Sequence, residues 1–267
     1  TVDLELTSGC TASSRRIPEK SVAENLLEAC RKEMVATIQR ITRKEKSENP
    51  PPLYDLTTLQ RDANRLLGYS SQQTLDYVQS LYEKKLTTYP RTDSCYITDD
   101  DEEMLEELTE ELESFLDITP ADVDEAVPRT RRTVNREKVT DHHALLPTKS
   151  MAKADLAALP AGERNVLRLI AARLLCAVGG PYCYAETTLT TICAGEKFTA
   201  KGKVVLSDGW KVMERKMLGE LLGKQKEPAV LPDVKEQSQC SIAGAELKEG
   251  QTSPPKHFTE DLLLHAM

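Results

Sequence analysis

Residues 50–94 read PPPLYDLTTLQRDANRLLGYSSQQTLDYVQSLYEKKLTTYPRTDS. Three prolines cannot continue a helix, so a boundary or extended linker precedes whatever follows. Leu59, Ala63 and Leu66 share one face at helical spacing, which predicts a helix over about 57–67 that stops at Gly68. Ser70 and Gln73 match a capping box and open a second helix with Leu75, Val78, Leu81 and Tyr82 turned inward. That helix runs into the extended segment KLTTYPRTDS, residues 85–94. Helix, tight turn, helix, extended segment predicts a winged-helix-like unit.

The extended segment carries the chemistry. Pro90 drives Tyr89 out of helical backbone. Residues i and i+2 of an extended chain point the same way, so the Tyr89 phenol and the Arg91 guanidinium face one ligand. A phenol titrates near about 10 and needs help to act as a nucleophile at neutral pH. A neighbouring guanidinium favours the phenolate, binds phosphate in fork geometry and stabilises charge that builds up in phosphoryl transfer. The pair fits attack on a phosphodiester. Thr92 and Ser94 are candidates to hydrogen-bond backbone phosphates, and Asp93 to hold Arg91 in place. An ordinary tight turn with a packed tyrosine and a surface arginine gives the same few letters.

Working outward, the chain has 43 acidic and 35 basic residues. Ten of the acidic ones lie in residues 99–113, DDDEEMLEELTEELE; without them the balance turns slightly positive, so the global charge says little about any one face. Thr98 and Asp101 predict a capped helix, with Met104, Leu105, Leu108, Leu112 and Phe115 as its apolar stripe. A basic run, RTRRTVNREK at 129–138, and then DHHALLPT at 141–148 follow. The seven cysteines are scattered without a CxxC, which argues for free thiols in a reducing cytoplasm and against a disulfide framework or zinc site. No run reaches membrane-spanning length, and no signal peptide is present.

TVDLELTSG at the start alternates like a strand. Val22, Leu26, Cys30, Met34 and Ile38 predict a helix over 21–41, whose β-branched end, VATIQRI, is also able to turn into a strand. RKEKSEN then breaks the pattern. A helix is expected from about Ala161 to Val178, ended by Gly179, Gly180 and Pro181. Antiparallel strands are expected from Tyr184 through Lys216, and another before TSPPK. Thr259 caps a last helix, with Phe258 and Leu263 at staple positions. That helix stops early, so the chain reads as a piece of a longer protein.

Three landmarks together resemble one family. The stretch from Pro50 to Ser94 is similar to the active-site region of type IA DNA topoisomerases, the topoisomerase III branch in particular. DHHALLPT resembles that family's histidine motif, and PPKHFTEDLLLHAM the segment where the chain returns towards the gate domain. The resemblance implies an α+β multidomain fold. A β-rich arch, residues 1–50 and 182–250, would be interrupted by a helical tyrosine domain, residues 51–181, with 251–267 starting the return to the gate. It implies that Tyr89 breaks one DNA strand as a 5′-phosphotyrosine ester, that Arg91 stabilises the scissile phosphate, and that Thr92, Asp93, Ser94, His142 and Thr259 support the site or DNA. A monomer acting on single-stranded DNA in the bacterial cytoplasm, at the nucleoid, goes with it. Mg²⁺ belongs to a TOPRIM domain for which this sequence has no match, so no cofactor is expected here, and relaxation of DNA by this chain alone is not expected. The other reading is a single-stranded-DNA-binding module without covalent chemistry.

Overall fold

The computed structural model describes residues 1–116, 129–224, 229–255 and 257–266. The side chain of Phe115 lies outside the described residues. The chain forms two compact units. One contains Thr1–Ser47, Cys183–Leu206 and Lys226–Pro255; the other contains Glu48–Tyr182, Ser207–Gln225 and Lys256–Met267.

The first unit is a closed barrel. Its strands are β1 (Val2–Leu6), β2 (Cys10–Ser14), β3 (Val35–Glu48), β4 (Tyr182–Cys193), β5 (Glu196–Ser207) and β6 (Gln239–Leu247). They follow the order β1-β2-β5-β4-β3-β6, and β1 closes on β6 with Val2 opposite Leu247. Alternation sends Val2, Leu4, Leu6, Ile38, Leu189, Phe198 and Ile242 into one apolar core. β4 turns into β5 through Ala194 and Gly195, both left-handed (φ 50° and 76°), the backbone that a two-residue hairpin needs.

Helix α1 (Lys20–Glu33) stops earlier than the spacing of Met34 and Ile38 predicts. Met34 is left-handed at φ 59° and caps α1 through its amide to Cys30. Beyond it the β-branched alternative wins, and Ile38 is buried from a strand. Val22 and Met34 are exposed. RKEKSE does not break the chain either, because β3 carries it to Glu48.

The second unit is mainly helical, with α2 (Leu56–Leu67), α3 (Ser71–Glu83), α4 (Glu102–Phe115), α5 (Ala161–Ala177), α6 (Lys211–Leu222) and α7 (Glu260–Ala266). Both expected capping boxes exist, Ser70 with Gln73 opening α3 and Thr98 with Asp101 leading into α4, and Asp55 with Thr58 forms a further one that opens α2. Gly68 ends α2 at φ 72°. Helix α5 is buried on nearly every side and forms the centre of this core, contacting α3 and α6. Helix α6 replaces the strand expected past Ser207. The helix pair expected of a winged helix is there, and among the described residues isolated bridges such as Tyr54–Leu145 and Thr87–Pro147 stand beside it in place of strands.

The step into α6 is close-packed. Trp210 donates its amide to Gly180 at 2.8 Å, and its indole donates to the Glu48 carbonyl at 3.3 Å. Gly209 is at φ 48°, and a Cβ there would lie 2.3 Å from the Pro181 carbonyl oxygen. Gly209→Ala is expected to lower unfolding free energy by about 3 kcal/mol, from backbone strain and a clash with a rigid backbone. Urea unfolding monitored by far-ultraviolet dichroism measures this.

Candidate active site

The extended segment after α3 is held by a second extended segment, the DHHALLPT stretch. Lys85 leaves α3 at a left-handed φ of 61°. Thr88 then donates its amide to the Leu146 carbonyl at 2.9 Å, and Thr148 donates to Leu86 at 3.0 Å. The Thr88 hydroxyl accepts from the Leu146 amide at 2.9 Å. A third segment, Leu53–Leu56, locks both. Leu145 donates its amide to the Tyr54 carbonyl at 2.8 Å, and Leu56 donates to the Thr92 carbonyl at 3.1 Å.

This places Tyr89 half-buried between two rings. The His142 imidazole lies 4.4 Å away, centroid to centroid, tilted by 41°. On the other side Tyr82 presents a T-shaped contact at 5.5 Å. Such pairs orient a ring and contribute about 0.5–1.5 kcal/mol. Tyr82 was expected to point into the core; it is 40% exposed and serves Tyr89 instead. Its seven-residue lead over Tyr89, across the end of a helix, was the signal available in the sequence. Arg91 is exposed, and among the described residues its guanidinium has no ion-pair partner.

The neighbouring polar residues divide differently from expectation. Thr92 and Ser94 are buried, at 4% and 3% exposure, so they do not present their hydroxyls to a phosphate. The Thr92 hydroxyl donates to the His142 carbonyl at 3.1 Å and accepts from the Ser94 amide at 3.1 Å. The Ser94 hydroxyl donates to the Lys138 carbonyl at 2.8 Å. Thr92 braces the tyrosine segment to the histidine segment, and Ser94 braces it to the end of the basic run. Asp93 is exposed and accepts from the Thr140 hydroxyl at 3.3 Å; it forms no ion pair with Arg91 among the described residues. Thr259 accepts from the Leu262 amide at 3.3 Å and caps α7, with Phe258 and Leu263 exposed rather than stapled. Glu260 at the same helix end accepts from the Ser71 amide at 2.6 Å and so joins α7 to α3.

Beneath the bracing segment lies a buried polar cluster. Tyr54 donates its hydroxyl to Asp62 at 2.7 Å, and Arg173 pairs with the same carboxylate while its guanidinium lies 4.1 Å over the Tyr54 ring. Arg65 reaches the other Asp62 oxygen at 2.7 Å. Burial pushes the Asp62 carboxyl up, but the Arg173 charge and the bonds from Arg65 and Tyr54 outweigh it and hold the carboxyl below its usual range. Burial foremost, and then the Asp55 carboxylate, push the Cys95 thiol up to about 11.

Carboxylates of the acidic helix are paired. Asp99 and Glu102 receive Arg131, Glu106 receives the Thr130 hydroxyl, Glu113 receives Arg129 and Glu107 receives Lys149. Arg129, Thr130 and Arg131 of the basic run thus pair with part of the acidic helix beside it. Among the described residues no group of three or more His, Cys, Asp or Glu is placed to hold a metal ion. Among the described residues no helix is long and apolar enough to cross a membrane.

The chain thus carries a half-buried tyrosine held between two rings, an exposed arginine two residues on, and a mixed α/β fold with an antiparallel barrel. Residues 2–267 match the family described as DNA topoisomerase, and the chain belongs to that family, in its type IA class. DNA topoisomerase 3 of Bacillus licheniformis is 37% identical over 235 residues, 87% of this chain and 32% of the relative. DNA topoisomerase 3 of Bacillus subtilis is 35% identical over the same length and coverage. The chain therefore spans about a third of the length of these curated relatives. Full-length topoisomerase I from Thermotoga maritima superposes with a TM-score of 0.71 over 99% of this chain and 42% of that one, at 19% identity, which is a likeness of fold.

Proposed function

We propose that Tyr89 is the nucleophile of a reversible DNA transesterification. The tyrosine oxygen attacks phosphorus in one strand, a tyrosine–phosphate bond forms, and the bond to the 3′ oxygen breaks. The phenol's proton leaves, and the 3′ oxygen departs as a hydroxyl after taking up a proton. Resealing is the same exchange in reverse: the 3′ hydroxyl attacks, and Tyr89 leaves. One phosphodiester is traded for another, so no ATP is needed. Arg91 binds the phosphate and offsets the negative charge gathering on its oxygens. His142 orients the phenol and contacts the strand. Thr92, Ser94 and the Leu53–Leu56 segment keep the two halves of the site in register.

The observation that carries this reading is Tyr89 held half-buried between His142 and Tyr82, with Arg91 exposed two residues on and without an ion-pair partner among the described residues. In this reading the barrel unit is part of an arch, and the helical unit is the winged-helix-like carrier of the tyrosine. The Mg²⁺ implied by the family is held by residues outside this chain, and no step here passes through it. The protein acts as a monomer on single-stranded segments in the bacterial cytoplasm, at the nucleoid.

The test uses the chain within a polypeptide of its relatives' length. An end-labelled single-stranded oligonucleotide is incubated with it, the reaction is stopped with detergent, and the protein-linked peptide is mapped by mass spectrometry. The expected adduct is a 5′ phosphate on Tyr89. An adduct on Tyr82 or Tyr96 overturns the assignment. Binding without any adduct favours the binding-module reading.

A further inference from the structure

The barrel presents a surface that the tyrosine chemistry does not use. Strands β2 and β5 pair with Ser13 opposite Thr199. Alternation therefore sets Thr11, Ser13 and Arg15 beside Lys201, Thr199 and Lys197 on the outer face, while Ala12, Phe198 and Ala200 face the core. These outward residues line an open groove of about 750 Å³. The face continues across β4, where Lys203 lies 3.7 Å over the Tyr184 ring and Lys46 pairs with Glu186 at 2.6 Å. Glu186 is held below the usual carboxylate range by Lys46 first and also by the charges of Lys201 and Lys203, which places these lysines on one side of the barrel.

The charge balance of this face is opposite to that of the chain. Arg15, Lys46, Lys197, Lys201 and Lys203 share it with Glu186 and Glu196, and at its edge Asp3 and Glu5 of β1 stand opposite Ser13 and Thr11, with Asp3 paired to Lys248; the chain as a whole carries a formal −8. Glu196 lies 3.8 Å from Arg15. Glu33, near the hairpin end, accepts from the Ala194 amide at 2.6 Å. Alternate residues on a strand stand about 7 Å apart. Lys197, Thr199 and Lys201 thus form a straight row of charge, hydroxyl, charge. Such a row suits the repeating phosphates of an extended strand. The Tyr184 ring is covered by Lys203, so no open aromatic platform is offered to bases.

We propose that this outer face of β2, β5 and β4 binds the phosphodiester backbone of a nucleic-acid strand, without reading its sequence and separately from the strand at Tyr89. The inference rests on the family's dealing with DNA but not on the chemistry assigned to Tyr89. Contacts of this kind are electrostatic and weaken steeply with salt.

The experiment is fluorescence anisotropy of this chain with a labelled oligothymidine over a series of NaCl concentrations. The proteins are wild type, Lys197→Ala/Lys201→Ala, Arg91→Ala and the triple variant. Loss of two phosphate contacts is expected to make the log–log salt slope shallower by about 1.4 and to weaken low-salt binding about tenfold. The same change is expected in the Arg91→Ala background. Lys197→Arg/Lys201→Arg keeps the charges and is expected to keep the slope. An unchanged slope and affinity in the folded double variant overturns the proposal, as does absence of wild-type binding. Equal binding of a labelled oligoglutamate, lost in the same variant, assigns the face to an acidic protein partner and overturns it too. If Arg91→Ala alone changes nothing, the reading of the tyrosine site fails while the barrel face stands.

Discussion

Tyr89→Phe is expected to abolish the covalent DNA adduct in a polypeptide of the relatives' length, a loss on the order of 10³-fold or more, as when other catalytic nucleophiles are removed. Oligonucleotide affinity is expected to change less than about threefold. The reason is geometric. The substitution removes one oxygen and leaves the ring, so the contacts to His142 at 4.4 Å and Tyr82 at 5.5 Å persist. Strand binding through Arg91 is therefore kept, and only the attacking atom is gone. Gel separation of protein-linked oligonucleotide measures the first quantity, and anisotropy the second. Adduct formation by Tyr89→Phe at a tenth of the wild-type level or more would show that another residue is the nucleophile.

The second large effect concerns stability. Arg173→Ala is expected to cost about 3–5 kcal/mol, because it leaves the Asp62 carboxylate buried with only part of its partners. Asp62 is 15% exposed on its side chain, and Arg65, its remaining cation, is 50% exposed. Asp62→Asn removes the charge along with the pair and is expected to cost less. The pH dependence follows from the depressed Asp62 carboxyl. Such a group gives its stabilisation above its unfolded value, near about 4, and loses it as pH falls through the lower folded value. Wild type is therefore expected to lose stability as pH falls below about 4 more steeply than Arg173→Ala. Parallel pH profiles of the two proteins, from urea unfolding, would remove Asp62 from the account.

Much of the helical unit was legible because its signals are local. Gly68, the Ser70–Gln73 box and the spacing of Leu59, Ala63, Val78 and Leu81 all act within a few residues. The extended course of the segment that carries Tyr89 and Arg91 was legible for the same reason. The roles of Thr92 and Ser94 were not, because burial is decided by DHHALLPT, some fifty residues further on, whose backbone accepts the Thr92 hydroxyl. The end of α1 was hidden by a true periodicity: Met34 and Ile38 continue the helical spacing, yet the strand they join offers Ile38 a deeper burial. Helix α6 was hidden by preceding β-branched residues and turn glycines, which belong to β5 and to the approach to Trp210.

The closure of the barrel bears on how the chain reaches its fold. β6 is the neighbour of both β1 and β3, and Val2 finds Leu247 nearly the whole sequence away. The helical unit, by contrast, draws most of its residues from one continuous stretch, Glu48–Tyr182. Contacts between distant residues form late, since the intervening loop must first be ordered. During synthesis the helices therefore assemble first, around α5. The barrel stays open, with β1 and β3 as unpaired edges, until Gln239–Leu247 has emerged. Edges left unpaired recruit other chains. A polypeptide halted before β6 is consequently a seed for aggregation, even though its tyrosine segment is already built.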